Sequence, residues 1–454
     1  MQTDLGLGVN GLDIFGNSVI QTPADLDRET PAAEPQPQRD IIPRGQKKNT
    51  VISRSAYLQE RIACAGDSAH EKEKQAWKTL EPIRLQPQEH VLFRHFAEHI
   101  SQWMDLFDPQ KPFGTLVPHL ALHNVGLMNA ILALSARHLR IVNRHTPTCA
   151  GGFRPDASDT IRFYYRTLRH SQTAMRHDTY KTSLELLAGA LVISSYEMLD
   201  GSGADWGKHL KGVFWIQRSQ VIHGDSGGLR QAVWWAWVCQ DAWAAFRERR
   251  KPFTFWQPAR GVKELNPSEL AARAVYNFAQ VVGYCAAQDD DATPRHGLER
   301  SLEADVLLQR LEEWKAHLTV EFEPLPLPAS PDTDGGGFEP VWIRPAAFGV
   351  AMQIYYCSLI LVHLNRPCSG GTASHLHRQK NFRKWANIVC GIAQTSGDYG
   401  SSVMSTQCAF IAGMVLEDDR QRSAVLDLIG ACSQRAGWPG YSLERELKQI
   451  WQQE

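Results

Sequence analysis

Between residues 127 and 139 apolar side chains recur at 127, 130, 131, 134 and 138/139, the stripe of a helix that buries one face. Asn124, just ahead of that run, is placed to cap it. The same period predicts helices at about 158–177, 182–199, 206–220, 228–247, 268–287, 298–318 and 341–365. It continues at about 376–395, 401–416, 420–435 and 441–452. No interval carries a run of alternating β-branched residues. The breaks carry turn chemistry, as in Cys149-Ala150-Gly151-Gly152 and Asp200-Gly201-Ser202-Gly203. The pattern predicts an all-α body of a dozen or so helices over 86–454, with its longest internal loop at about 322–340 and no fixed-period repeat. Residues 1–85 read as a disordered N-terminal tail, because Pro23, Pro31, Pro35, Pro37 and Pro43 interrupt a polar stretch with few apolar residues.

Charge narrows the function classes. Lys and Arg number 48 against 49 Asp and Glu, a formal net charge of −1, so the chain is not basic overall. Duplex DNA binding takes much of its affinity from phosphate neutralisation, and no such field is supplied here. The short cluster Arg44-Gly45-Gln46-Lys47-Lys48 reads as solvated linker charge. A hydrophobic fraction of 43% with 14 Trp provides for a large core. The N-terminus has no signal-peptide pattern, and no stretch reads as the ~20 apolar residues of a membrane span, so an intracellular protein without a membrane partner is expected. The nine cysteines include no CxxC pair, which argues against cysteine-ligated zinc and for buried free thiols.

Five motifs invite chemistry. Gly224-Asp225-Ser226-Gly227-Gly228 repeats the string around a serine-protease nucleophile, but a helical chain lacks the two β-barrels that assemble that triad. The expectation is a turn in which Ser226 or Asp225 caps the helix starting near Leu229. Gly6-Leu7-Gly8-Val9-Asn10-Gly11 matches GxGxxG without the preceding strand that the fingerprint needs. The pairs His95/His99 and His119/His123 have the i, i+4 spacing of metal ligands, but no third ligand accompanies either. Asp289-Asp290 and Asp418-Asp419 fail to complete the DDxxD face of a terpene cyclase. The tryptophans of 233–243, with Trp234, Trp237 and Trp243 on or near one side, read as helix packing rather than a ligand cage.

The segment from Arg94 to Asp108, with Phe113, Val117-Pro118 and the run Leu127 to Leu139, resembles the opening of the C-terminal regulatory region of fungal binuclear zinc-cluster (Zn2Cys6) transcription factors. The resemblance continues through Leu199-Asp200-Gly201, Trp206, His209 to Gly212, Gly228 to Ala232 and Trp237 to Phe246. It closes with His363 to Pro367, Ile388 to Ala393, Ile411 to Met414 and Gly437-Trp438-Pro439. The family's N-terminal cluster of six closely spaced cysteines is missing from this sequence, so direct reading of DNA by that module is not expected.

What the resemblance implies is a transcriptional regulator of metabolic or secondary-metabolite genes, located in the nucleus or shared with the cytoplasm. Its partners would be other transcription factors or the transcription machinery, a small-molecule effector and further copies of itself. It would make no sequence-specific DNA contact alone. The residues themselves assign no catalytic, cofactor-binding, metal or DNA-binding position, and no cofactor or enzyme activity is expected. Two rival readings stand beside this one: a helical enzyme acting on a hydrophobic small molecule in an aromatic-lined pocket, and the regulatory half of a DNA-binding activator. Elemental analysis of the chain after dialysis against a mild chelator is expected to find well under one zinc per chain; a retained equivalent would overturn the reading of the cysteines and histidines.

Overall fold

The computed structural model describes residues 71–145, 155–200, 206–286, 294–328, 337–367, 371–438 and 441–453. The 1–70 segment with its GxGxxG and basic cluster, Cys64, Cys149, Cys368 and Asp289 to Asp291 lie outside them. The chain divides into two units, Met1–Ala76 and Trp77–Glu454. In the first, the described part is a helical turn over 71–74, where Lys74 meets Glu71 at 3.3 Å.

In the second unit, Trp77 is already packed, ahead of the position at which the sequence pattern turns helical. Its Nε1–H donates to Thr179 Oγ1 at 2.9 Å, and its ring meets Tyr180 edge-on at 5.1 Å. Helices Pro87–His95 (α1) and Ser101–Met104 (α2) are joined by a π-helical segment, Phe96–Ile100. Pro112–Thr115 (α3), Val117–Ala121 (α4), Val125–His145 (α5), Ala157–Ala174 (α6), Asp178–Lys181 (α7), Leu184–Asp200 (α8) and Trp206–Ser219 (α9) follow. Next come Gly228–Glu248 (α10), Pro267–Ala286 (α11), Pro294–Ala316 (α12), Ala346–Asn365 (α13) and Thr372–Thr395 (α14). Tyr399–Gly413 (α15), Asp419–Ala436 (α16) and Tyr441–Trp451 (α17) complete the body. Among the described residues the regular elements are all helical, as the periodicity predicts; the extended backbone pairs at one isolated bridge, Leu325 with Trp342.

Local chemistry explains where the helices start. Asn124 Oδ1 accepts the Leu127 N–H at 2.8 Å, the expected cap of α5. Asp398 and Asp418 cap α15 and α16 in the same manner. The start of α10 differs from expectation. Gly227, at φ +74°, precedes it and no side chain caps it. Ser226 Oγ instead accepts the His223 N–H at 2.8 Å and closes the turn before the helix. Asp225 is drawn away to Arg260, also at 2.8 Å. Opposite charge nearby outcompetes a backbone amide for that carboxylate.

The helices form two groups. One comprises α5, α6, α8 and α9; the other comprises α11, α13, α14, α15 and α16. Helix α10 packs on α8 and α9 of the first and on α11 of the second. Its tryptophans carry those contacts. Trp237, fully buried at 0% exposure, stacks on Phe214 of α9 at 5.9 Å and donates to the Leu210 carbonyl at 3.0 Å. Trp234 reaches α11 through Trp256, which meets Tyr276. Trp243 meets Phe410 of α15 edge-on at 6.0 Å. The expected single aromatic face is therefore corrected: nine residues at ~100° each place Trp243 roughly opposite Trp234. The helix is wrapped rather than one-sided.

Two segments, Val125–Asn143 and Ala346–Asn365, are long and apolar enough by length and composition to cross a membrane, contrary to the sequence reading. In the fold 72% and 78% of these windows are buried among other helices, which is the environment such apolar runs need. Helix α13 places Gln353 and Ser358 inward, and both are paired: Gln353 with the Val389 carbonyl at 2.9 Å, Ser358 with the Ile354 carbonyl at 2.8 Å. Replacing Trp237 by Ala removes the ring at the joint between helix groups. It is expected to cost ~3–5 kcal/mol, out of the ~5–15 kcal/mol typical of a domain. Chemical or thermal unfolding of the purified variant checks this, and an unchanged midpoint would contradict the packing role.

Candidate functional site

The π-helical insertion after His95 sets the register of His95, His99 and Trp103, which follow one another along one strip of the helix. Such insertions often accompany functional positions because they re-aim side chains. The rings of His95 and His99 lie 4.9 Å apart, and His99 meets Tyr399 at 4.5 Å. His95 Nε2 lies 2.7 Å from His138 Nδ1, and His138 Nε2 lies 2.7 Å from the carbonyl of Ala436. A carbonyl only accepts, so His138 Nε2 donates to it. In neutral His138, Nδ1 then accepts, which makes His95 Nε2 the donor. The chain of rings is thus satisfied with both histidines uncharged.

Burial favours that state. It pushes His138 down to about 4, and it carries His95 well below the ordinary histidine value, with His138 adding to the effect. The Ala436 carbonyl is free to accept because the helix ends there. Gly437 adopts φ +62°, and the Trp438 N–H turns back to Ser433 O at 3.0 Å. A Cβ on Gly437 would lie 2.1 Å from His138 Nε2, so glycine is required by conformation and by space alike. The helix stop also swings Trp438 over Trp103, edge-on at 6.3 Å.

Beside these two rings lies a cavity of about 40 Å³, partly open to solvent. Helix α2 contributes Trp103 and Met104; α8 contributes Ser195 and Met198; α10 contributes Ala236, Cys239 and Gln240. Helix α15 supplies Gly400, Val403, Met404 and Gln407, an i, i+3, i+4, i+7 face. Gly400 lets α15 approach α2, since a Cβ there would meet the Gln102 carbonyl at 2.6 Å. The loop after α2 is held by Asp105, which accepts the Phe113 and Gly114 amides at 2.9 and 2.7 Å. Burial pushes that carboxyl up to about 7 against the pull of those amides.

The cavity's polar groups differ in how they are satisfied. Gln240 donates to Ser195 Oγ at 2.9 Å and accepts from Ser194 Oγ at 3.3 Å. Gln407, 6% exposed, has no hydrogen-bond partner among the described residues. The Trp103 Nε1–H is likewise unpaired there. None of the described lining side chains carries a charge. Burial pushes the Cys239 thiol up to about 12, so it stays protonated.

The other motifs fall apart in space or into structural use. His123 Nδ1 pairs with the Thr79 carbonyl at 2.9 Å, while His119 is exposed. His223 stacks on Trp256 rather than serving Ser226 as a base. Asp418 caps α16. Among the described residues no group of three His, Cys, Asp or Glu is placed to hold a metal ion, and the six described cysteines are free, four of them buried. Sequence reasoning weighed His95 and His99 but not His138. It missed Gln407 and Trp103, for which the only available signal was the spacing of 400, 403, 404 and 407.

Residues 91–223 match the family described as a fungal specific transcription factor domain, which covers α1 through the end of α9. The resemblance read from the sequence is therefore supported over residues 91–223. The chain is similar to Transcription activator AMTR1 of Alternaria alternata, 22% identical over 486 residues. That similarity takes in 80% of this chain and 63% of the relative's length. No solved structure matches.

Neutral burial of His95 has a measurable sign. The folded chain holds the ring uncharged, while the unfolded chain takes up a proton below pH ~6.5. Its contribution is fully present above that value and is lost as pH falls toward the lowered folded value. Asp105, pushed the other way, contributes with opposite sign, so the parent chain must be compared with a variant. The stability advantage of the parent over His95→Gln is expected to shrink as pH is lowered from 7 to 4.5. Urea unfolding at several pH values checks it, and a constant difference would contradict the neutral histidine chain.

Proposed function

We propose that this chain is a transcriptional regulator that acts in the nucleus through its helical body and partner proteins. Its targets on this reading are metabolic or secondary-metabolite genes, and it performs no catalysis. The observation that carries the reading is the match of residues 91–223 to the fungal specific transcription factor domain. The relative's printed role, transcription activator, supports the same class. The site supports sensing over chemistry. The cavity is lined by uncharged groups, and its one thiol is held protonated, the state least suited to nucleophilic attack.

Promoter choice on this reading comes from partners, a reading supported by the net charge of −1 and the lack of closely spaced cysteines among these 454 residues. Two measurements test it together. Purified chain should show no nanomolar, sequence-selective DNA binding at physiological salt. Chromatin immunoprecipitation of tagged protein should nevertheless recover a reproducible set of promoters, and occupancy should fall when the partner factor is removed. Tight selective binding by the chain alone would overturn the partner mechanism. An empty promoter set would overturn the regulatory reading.

A further inference from the structure

We infer that the cavity beside Trp103 and Trp438 is a binding site for a compact, neutral, mostly apolar molecule that carries a single carbonyl or hydroxyl oxygen. The regulatory reading above supplies its purpose, an effector that reports on metabolism, and the inference rests on that reading only for this purpose.

The two unpaired polar groups carry the argument. A buried amide or indole N–H without a partner is a standing cost, and native structures rarely keep one without a reason. Two such groups line this one cavity: the Nε1–H of Trp103, buried without a partner among the described residues, and the side-chain amide of Gln407, on a residue 6% exposed. Both are able to donate, so an oxygen acceptor satisfies them. Gln240, on the facing helix, is already engaged by Ser194 and Ser195 through one donor and one acceptor, which leaves Trp103 and Gln407 as the groups without a partner among the described residues.

The rest of the wall sets the body of the ligand. Met104, Met198 and Met404 present flexible, polarisable thioethers that mould to irregular apolar shapes and contact aromatic rings favourably. With no charged lining residue, an ionised ligand would enter without compensation for its lost hydration. A one-ring aromatic ketone or phenol suits this wall once those thioether side chains move aside to admit it. The placement also gives the ligand leverage. It would touch α8 of the first helix group, α15 of the second and the α10 that joins them, so occupancy bears on how the groups are held together.

Acetophenone serves as the probe, with ethylbenzene as the analogue lacking the oxygen and benzoate as the charged one. Calorimetric titration of the full chain should give one acetophenone per chain, ethylbenzene about tenfold weaker, the value of one lost buried hydrogen bond, and no detectable benzoate binding. Gln407→Leu should weaken acetophenone about tenfold and leave ethylbenzene unchanged. Acetophenone should also raise the thermal unfolding midpoint of the parent chain, which needs no variant to fold.

Absence of acetophenone binding together with an unshifted midpoint of the parent chain would overturn the site. So would a Gln407→Leu chain, with unaltered thermal midpoint, that binds acetophenone as tightly as the parent. These outcomes are read without reference to transcription. A chain that binds acetophenone but occupies no promoter keeps the site and loses the regulatory reading, whereas a chain that occupies promoters but binds nothing loses the site alone.

Discussion

Burial of α10 is the constraint on which the rest of the body depends. A helix wrapped by apolar neighbours on nearly every side has no solvent face to relax into, so each neighbour's position is set by the ring it must accommodate. Trp237 fixes α9 through Phe214 and the Leu210 carbonyl, Trp234 fixes α11 through Trp256, and Trp243 fixes α15 through Phe410. Two groups of helices, each with its own packing, thereby share one core. The indole N–H of Trp237 finds a carbonyl, as a buried Trp requires, whereas that of Trp234 has no partner among the described residues.

A second closure, at the edge of that core, is polar. The His95–His138–Ala436 chain ties α1 to α5 and to the end of α16, using the carbonyl that every helix leaves unsatisfied at its C-terminus. Its geometry tolerates one protonation state, which is why the rings sit neutral inside the protein. Helix end, glycine and histidine are mutually dependent: only φ +62° at Gly437 stops α16 where the Ala436 carbonyl meets His138, and only the missing Cβ admits that ring.

The cavity lies where these two closures meet, and its character follows from them. Trp103 belongs to the histidine strip and Trp438 to the helix stop, while Ala236, Cys239 and Gln240 belong to the wrapped helix. A small residue at 236 and the close approach allowed by Gly400 shape the space without lining it with charge. Elsewhere in the body Glu197 Oε1 meets His209 at 2.8 Å and also accepts from Tyr164, joining α8 to α9 and α6. Trp103 Nε1 and the Gln407 amide are the groups that line the cavity without a partner among the described residues.

The sequence by itself determined what is local. Helical periodicity located the elements, Asn124 announced the cap of α5, and the density of apolar and Trp residues around 233–243 announced a buried helix, because each depends on residues within a few turns of one another. It also carried the ordered strings that resemble a fungal regulatory region. Only the tertiary structure decided which faces meet. Ser226 became a turn residue because Arg260, 35 positions from Asp225, claims that carboxylate. Two membrane-length apolar segments became core helices because other helices surround them. His138 joined His95 across 43 residues, and Gln407 came to line the same cavity as Trp103. Periodicity states which side of a helix is apolar but not which helix will lie against it. The site consists of such pairings between distant segments, so packing alone assembles it.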